Sequence, residues 1–206
     1  KIHTMIVTLA TMTLFQGLSY IISQSKSFSS LPAAFKFIGQ GYLGNLPVSI
    51  FALIAIVAVV SFILNKTHYG RYVYAIGGNP DAAHLAGINV ERVRLRTFAL
   101  NGALVGLAAV LLISRSGSAS SAMGTSLQFD SITACILGGV SFTGGSGKVS
   151  NAVLGVLCLG VLSNGMQLIG WGIYVQYVVK AILLVIAIAF DMYTKNKVLA
   201  DDAANG

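Results

Sequence analysis

Six apolar stretches, each almost free of charge, divide this chain at residues 5–23, 47–64, 96–113, 129–142, 151–169 and 173–190. A helix needs about 20 predominantly apolar residues to cross the hydrocarbon of a bilayer, and most of these stretches come near that length. Helices satisfy their own backbone hydrogen bonds, which lipid cannot do. The expectation is therefore an all-α, polytopic membrane helix bundle. The stretch 129–142 is short and leaves a re-entrant or half-length helix open. Composition closes the soluble alternative: 9% of residues are charged and 55% hydrophobic, against roughly 25% charged in a soluble domain.

Positive charge decides the number of crossings. If all six stretches cross, Lys1, Lys66, Arg71, Arg92, Arg94, Arg96, Lys148, Lys195 and Lys197 share one side. Lys26, Lys36 and Arg115 fall on the other, and Lys180 lies inside the sixth stretch. That asymmetry fits the excess of Lys and Arg in cytoplasmic loops, so six crossings with both chain ends cytoplasmic are expected. The same placement explains the net charge of +7 by topology, because no basic patch interleaved with aromatics points to nucleic acid. The whole of 1–206 reads as one transmembrane domain with a cytoplasmic tail at 195–206. The chain opens at Lys1 and enters a span at once, so further helices are expected before it.

The longest polar insertion, 66–96, carries its own helix signal. Asn79 suits the N-cap, Pro80 the first helical position, and Asp81 the positive helix end. Gly87 suits a left-handed stop. Ala82, Ala83, Leu85 and Ala86 make the middle small and apolar, with His84 among them. So short a helix is marginal in water. It must pack against its own helix ends or the lipid interface, or serve as a docking knob for a cytoplasmic partner.

A glycine cluster, GGVSFTGGSG at 138–147, precedes Lys148. It lacks the spacing of a phosphate loop, since Val149 follows the lysine, so ATP binding is rejected. Gly138, Gly139, Gly144 and Gly145 suit either a tight cytoplasmic turn or a gate. In the first stretch Thr4, Thr8, Thr11, Gln16, Ser19 and Ser23 share a face about 140° wide. That stripe suits interhelical hydrogen bonds or one wall of a polar path. Gly102 and Gly106 form a small-residue packing face in the third. Lys180 either snorkels to the outer interface or faces a wet path and pairs with Asp130, which itself suits an N-cap. Asp191 reads as a solvated interfacial charge beside Lys195. Cys135 and Cys158 read as packing residues, and Trp171, Tyr174 and Tyr177 as an interfacial aromatic belt.

The run RYVYAIGGNPDAAHLAGINV at 71–90, the glycine cluster and the ending from Tyr177 to Asp191 together resemble ribose-type sugar ABC transporter permeases. The resemblance covers essentially the whole chain. It implies a membrane-spanning subunit of a bacterial importer in the inner membrane, with no ATPase site of its own. It also implies a second permease chain, identical or related, a periplasmic sugar-binding protein, and cytoplasmic ATPase subunits that consume the ATP. The resemblance implies that the segment from Asn79 to Ile88 would be the coupling helix, so charges at Ala83 and Leu85 are expected to abolish ATPase association without unfolding the protein. Family members often carry a basic residue near His84 and alanine in place of Ser131. Neither an enzyme nor a metal site is expected, because His3, His68 and His84 are scattered and no catalytic constellation exists. The alternative is an ion-coupled secondary transporter or channel, although no carboxylate sits at the centre of any stretch.

Overall fold

The structure is a computed structural model that describes the backbone from Thr4 to Asn205 and the side chains of residues 6–194. Its elements run α1 (Thr4–Ser23), α2 (Ala33–Gln40), β1 (Tyr42–Leu43), β2 (Leu46–Pro47), α3 (Val48–Lys66), α4 (His68–Gly78), α5 (Pro80–Leu85), α6 (Val90–Ser116), α7 (Leu127–Leu137), α8 (Val149–Leu168) and α9 (Ile173–Asn205). The protein is a helical, polytopic membrane bundle. Five helices, α1, α3, α6, α8 and α9, are long and apolar enough to cross a membrane. None of the spanning residues of α1, α3 or α9 is buried within the chain. Faces this apolar are stable only against lipid or further helices.

The expected fourth crossing is shorter than its apolar run. Helix α7 has 11 residues and rises about 16 Å, roughly half the hydrocarbon thickness. Its helix ends at Leu137 because glycines follow, and residues 138–142 form part of a turn rather than more helix. The expected stretches at 96–113 and 173–190 are longer as helices. Helix α6 begins at Val90 and α9 runs on to Asn205, so the tail at 195–206 is helical backbone up to that residue. The side chains of Thr4, Lys195 and Lys197, and all of Lys1 and His3, lie outside the described residues.

The chain divides into two compact units: residues 1–54 with 100–125, and residues 55–99 with 126–206. In the first, α2 docks on the end of α6 through one hydroxyl. Ser114 is fully buried; its Oγ accepts the Gly39 N–H at 2.7 Å and donates to the Phe35 carbonyl at 2.6 Å. A backbone bridge between Phe28 and Ala119 (2.8 and 2.9 Å) ties the two loops of this unit together. The antiparallel pair β1–β2 is a two-residue turn at the entrance to α3. The Gly102/Gly106 face meets no described atom within 4 Å of where a Cβ would stand.

The second unit holds α4, α5, α7, α8 and α9. Helix α7 packs against both α8 and α9. Gly155 of α8 lets its backbone lie against the Ala134 carbonyl, and Gly138 lies against Asn151, so α7 and α8 run antiparallel. The buried face of α7 is Thr133, Ala134 and Ile136, with the Thr133 hydroxyl donating to Phe129 O at 2.7 Å.

Candidate coupling loop and intramembrane ion pair

The short helix forms where its signals predict. The Asn79 side-chain oxygen accepts the backbone N–H groups of Asp81 and Ala82, both at 3.0 Å. Pro80 occupies the first turn, where a missing N–H costs nothing. At the other end Gly87 takes φ +81°, a conformation that disfavours any side chain. Its N–H donates to His84 O at 3.0 Å, and the Ile88 N–H donates to Ala83 O at 3.1 Å. This paired stop satisfies two carbonyls and turns the chain into α6, whose start Asn89 caps at the Arg92 N–H, 3.0 Å.

One face of α5 is spoken for. Ala83 is 4% exposed and packs with Ile76 of α4 and Val93 of α6, flanked by Tyr69, Val73, Ile88 and Val90. The opposite face is open: Pro80, Asp81, Ala82, His84 and Ala86 are exposed, and Leu85 is 87% exposed. Of the two side chains expected to face a partner, only Leu85 is exposed, and Ala83 is buried. Ala83 faces inward because positions two apart on a helix lie on different faces. Sequence reasoning also missed α4, although Tyr69, Val73 and Ile76 stand at the i, i+4, i+7 spacing of an amphipathic helix. Thr67 caps it through Gly70 N–H at 3.3 Å, and a Tyr69–Thr97 hydroxyl pair at 2.8 Å ties it to α6.

The glycine cluster folds back from α7. Gly139 (φ +81°) donates to Ile136 O at 2.8 Å and Val140 to Cys135 O at 2.9 Å, the same paired stop as at Gly87. The hairpin then closes through Ser141 N–H to Ser146 O at 3.1 Å. Two helices grip it. Gly77 of α4 sits so near the turn that a Cβ there would stand 2.5 Å from Gly145 N. The Tyr74 hydroxyl donates to Gly147 O at 3.0 Å. From α9, Asp191 Oδ2 accepts the Phe142 N–H at 3.1 Å and the Ser141 hydroxyl at 3.5 Å. Asp191 is thus a half-buried clamp, not the solvated interfacial charge expected. A cavity of about 330 Å³, lined by Val73, Tyr74, Cys135, Val140 and Lys148 among others, lies beside this joint.

Two charges, one on α9 and one on α7, meet. Lys180 Nζ donates to Asp130 Oδ2 at 2.9 Å, with the two side chains 17% and 28% exposed. Lys180 stands about 10 Å along α9 from its start at Ile173. The pairing expectation holds in place of snorkelling. Asp130 lies in the first turn of α7 but is not its N-cap, a position Ser126 occupies. A cavity of about 240 Å³ opens beside the pair, lined also by Ser131, Ala134, Leu159 and Ser163.

The expected path residues divide between the units. Asp130, Gly138, Gly139, Gly144, Gly145 and Lys180 belong to the second, where they fall into the hairpin and the ion pair. Thr8, Thr11 and Gln16 belong to the first. There Thr11 spends its hydroxyl on Val7 O and Thr8 O of its own helix (3.0 and 2.9 Å), and Gln16 is half-buried. Ser23 at the end of the stripe meets Ser121 at 2.5 Å.

Similar proteins match most of the chain. The L-arabinose transport system permease protein AraH of Escherichia coli is 40% identical over 193 residues, 94% of this chain and 59% of that protein. The ribose import permease protein RbsC of Bacillus subtilis is 39% identical over 193 residues, 93% of this chain and 60% of that protein. The xylose transport system permease protein XylH of Haemophilus influenzae is 44% identical over 151 residues, 73% of this chain and 40% of that protein. The chain thus spans about three fifths of the length of the first two relatives. No solved structure matches it. A family described as the branched-chain amino acid transport system permease component matches residues 1–188, and the chain belongs to that family.

Proposed function

We propose that this chain forms part of the membrane-spanning permease subunit of a bacterial ABC importer for a monosaccharide. The relatives named for arabinose, ribose and xylose make a pentose the first class to test. On this reading the chain sits in the inner membrane with both ends cytoplasmic, beside a second permease chain. A periplasmic binding protein delivers the sugar, and separate ATPase subunits hydrolyse ATP. The chain acts as a conduit and not as an enzyme.

The observation that carries this reading is the two-faced helix α5. Its inner face is anchored by Ala83 on α4 and α6, while Leu85 protrudes on the other side. A six-residue helix would not hold its shape unsupported; anchored as it is, a load on Leu85 passes into α4. From α4 the Gly77–Gly145 contact and the Tyr74 hydrogen bond carry it into the hairpin, and Asp191 carries it into α9. Closure of an ATPase pair against α5 would thereby bias a bundle with two stable arrangements.

The test is reconstitution of the full-length permease with its ATPase and binding protein in proteoliposomes. Radiolabelled L-arabinose, D-ribose and D-xylose should enter on ATP addition, and Leu85→Asp should abolish both uptake and co-purification of the ATPase. Uptake driven by an ion gradient and indifferent to ATP would replace this reading with that of a secondary transporter.

A further inference from the structure

We infer that the Asp130–Lys180 pair is a recognition point for hydroxyl groups of the solute as it passes through the bundle. The inference rests on the sugar-importer reading and adds a contact site to it. A cation in a spanning segment costs roughly 3 kcal/mol or more, and a buried ion pair seldom repays its desolvation against an apolar pair of similar volume. Stability is therefore a poor reason for this pair to stand between α7 and α9.

Its geometry suits a ligand better. The two charges are not sealed: their side chains keep 17% and 28% of their surface, and the cavity of about 240 Å³ lies against them. One ammonium proton and one carboxylate oxygen are engaged with each other at 2.9 Å. An ammonium has three protons and a carboxylate two oxygens, so donors and an acceptor remain. The Ser131 hydroxyl donates to Leu127 O at 2.7 Å and retains lone pairs to accept, while Ser163 of α8 also lines the cavity. Elsewhere the lining is Leu127, Ala134, Val156, Leu159 and Gly160. A vicinal diol fits this pattern: one hydroxyl donates to Asp130, its neighbour accepts from Lys180, and the ring C–H face meets the apolar wall. The pair has no net charge with which to hold an ion but offers both donors and an acceptor, which makes a neutral polyol the favoured class.

The experiment uses the reconstituted full transporter and the double variant Asp130→Asn/Lys180→Met, which leaves no unpaired buried charge. Assembly and ATP hydrolysis stimulated by the loaded binding protein should match wild type, while uptake of the transported pentose falls tenfold or more. Each monodeoxy analogue of that pentose is measured alongside. The analogue lacking the hydroxyl read by the pair should lose at least threefold less on mutation than the parent sugar. The charge-swapped variant Asp130→Lys/Lys180→Asp should assemble and remain poor in uptake. Wild-type uptake by the double variant, equal losses for every analogue, or full recovery of uptake in the swapped variant would each show a purely structural pair and overturn the inference. Uptake by the wild-type complex that is driven by an ion gradient and indifferent to ATP would instead defeat the importer reading, and this inference would fall with it.

Discussion

Placing an aspartate at residue 83 or at residue 85 should produce two different failures, although the sites are two residues apart. Ala83 is 4% exposed, enclosed by Ile76 and Val93 with Tyr69, Val73, Ile88 and Val90 around them. No described side chain there offers a cation, so Ala83→Asp must either bury an unpaired carboxylate or push α5 off α4. An unsatisfied polar group costs about 1–3 kcal/mol in protein interiors and an ionised one more. A six-residue helix has no intrinsic stability to set against that loss. Leu85 is 87% exposed, and substitution at such a position changes stability by about 0.5 kcal/mol or less. Thermal unfolding of the purified permease in detergent, and limited proteolysis across residues 78–90, measure the difference. Ala83→Asp should lower the midpoint and open the loop to protease; Leu85→Asp should do neither, yet still release the ATPase. An Ala83→Asp protein that unfolds like wild type and loses only its partner would refute the inward assignment of that face.

Other perturbations probe the rest of the relay. Gly77→Ala places a methyl 2.5 Å from the Gly145 backbone nitrogen, so α4 and the hairpin must separate; ATPase co-purification should persist while ATP-driven uptake falls at least tenfold. Asp191→Ala removes the acceptor of the exposed Phe142 N–H and should cost about 1 kcal/mol, read as a lower thermal midpoint and faster cleavage at 141–146. Asn79→Ala removes the acceptor for two N–H groups and should cost about 1 kcal/mol, visible as faster amide exchange at Asp81 and Ala82. Gly139→Ala forces a side chain into φ +81°, and should destabilise by about 1 kcal/mol in the same thermal assay.

What the chain's order of residues determined by itself is everything that depends on near neighbours or on the solvent. Long apolar runs must become helices in lipid, which made the spans legible. Asn79, Pro80 and Gly87 cap, start and stop a helix through bonds reaching at most five residues, so α5 was readable to within a residue or two. The Tyr69, Val73, Ile76 spacing carried α4 too, inside an insertion where only the segment at 79–87 was expected to be helical. The tertiary structure alone decided which side of α5 faces in, because Ala83 is buried by residues of other helices, Val93 and Ile76 among them. It alone brought Asp191 to Phe142 and Lys180 to Asp130, contacts 49 and 50 residues apart in the chain. Such pairings follow from how whole helices pack, and no local periodicity encodes them. The glycine cluster shows both levels in one place: Gly139 ends α7 by local geometry, while Gly145 is small because α4 passes against it.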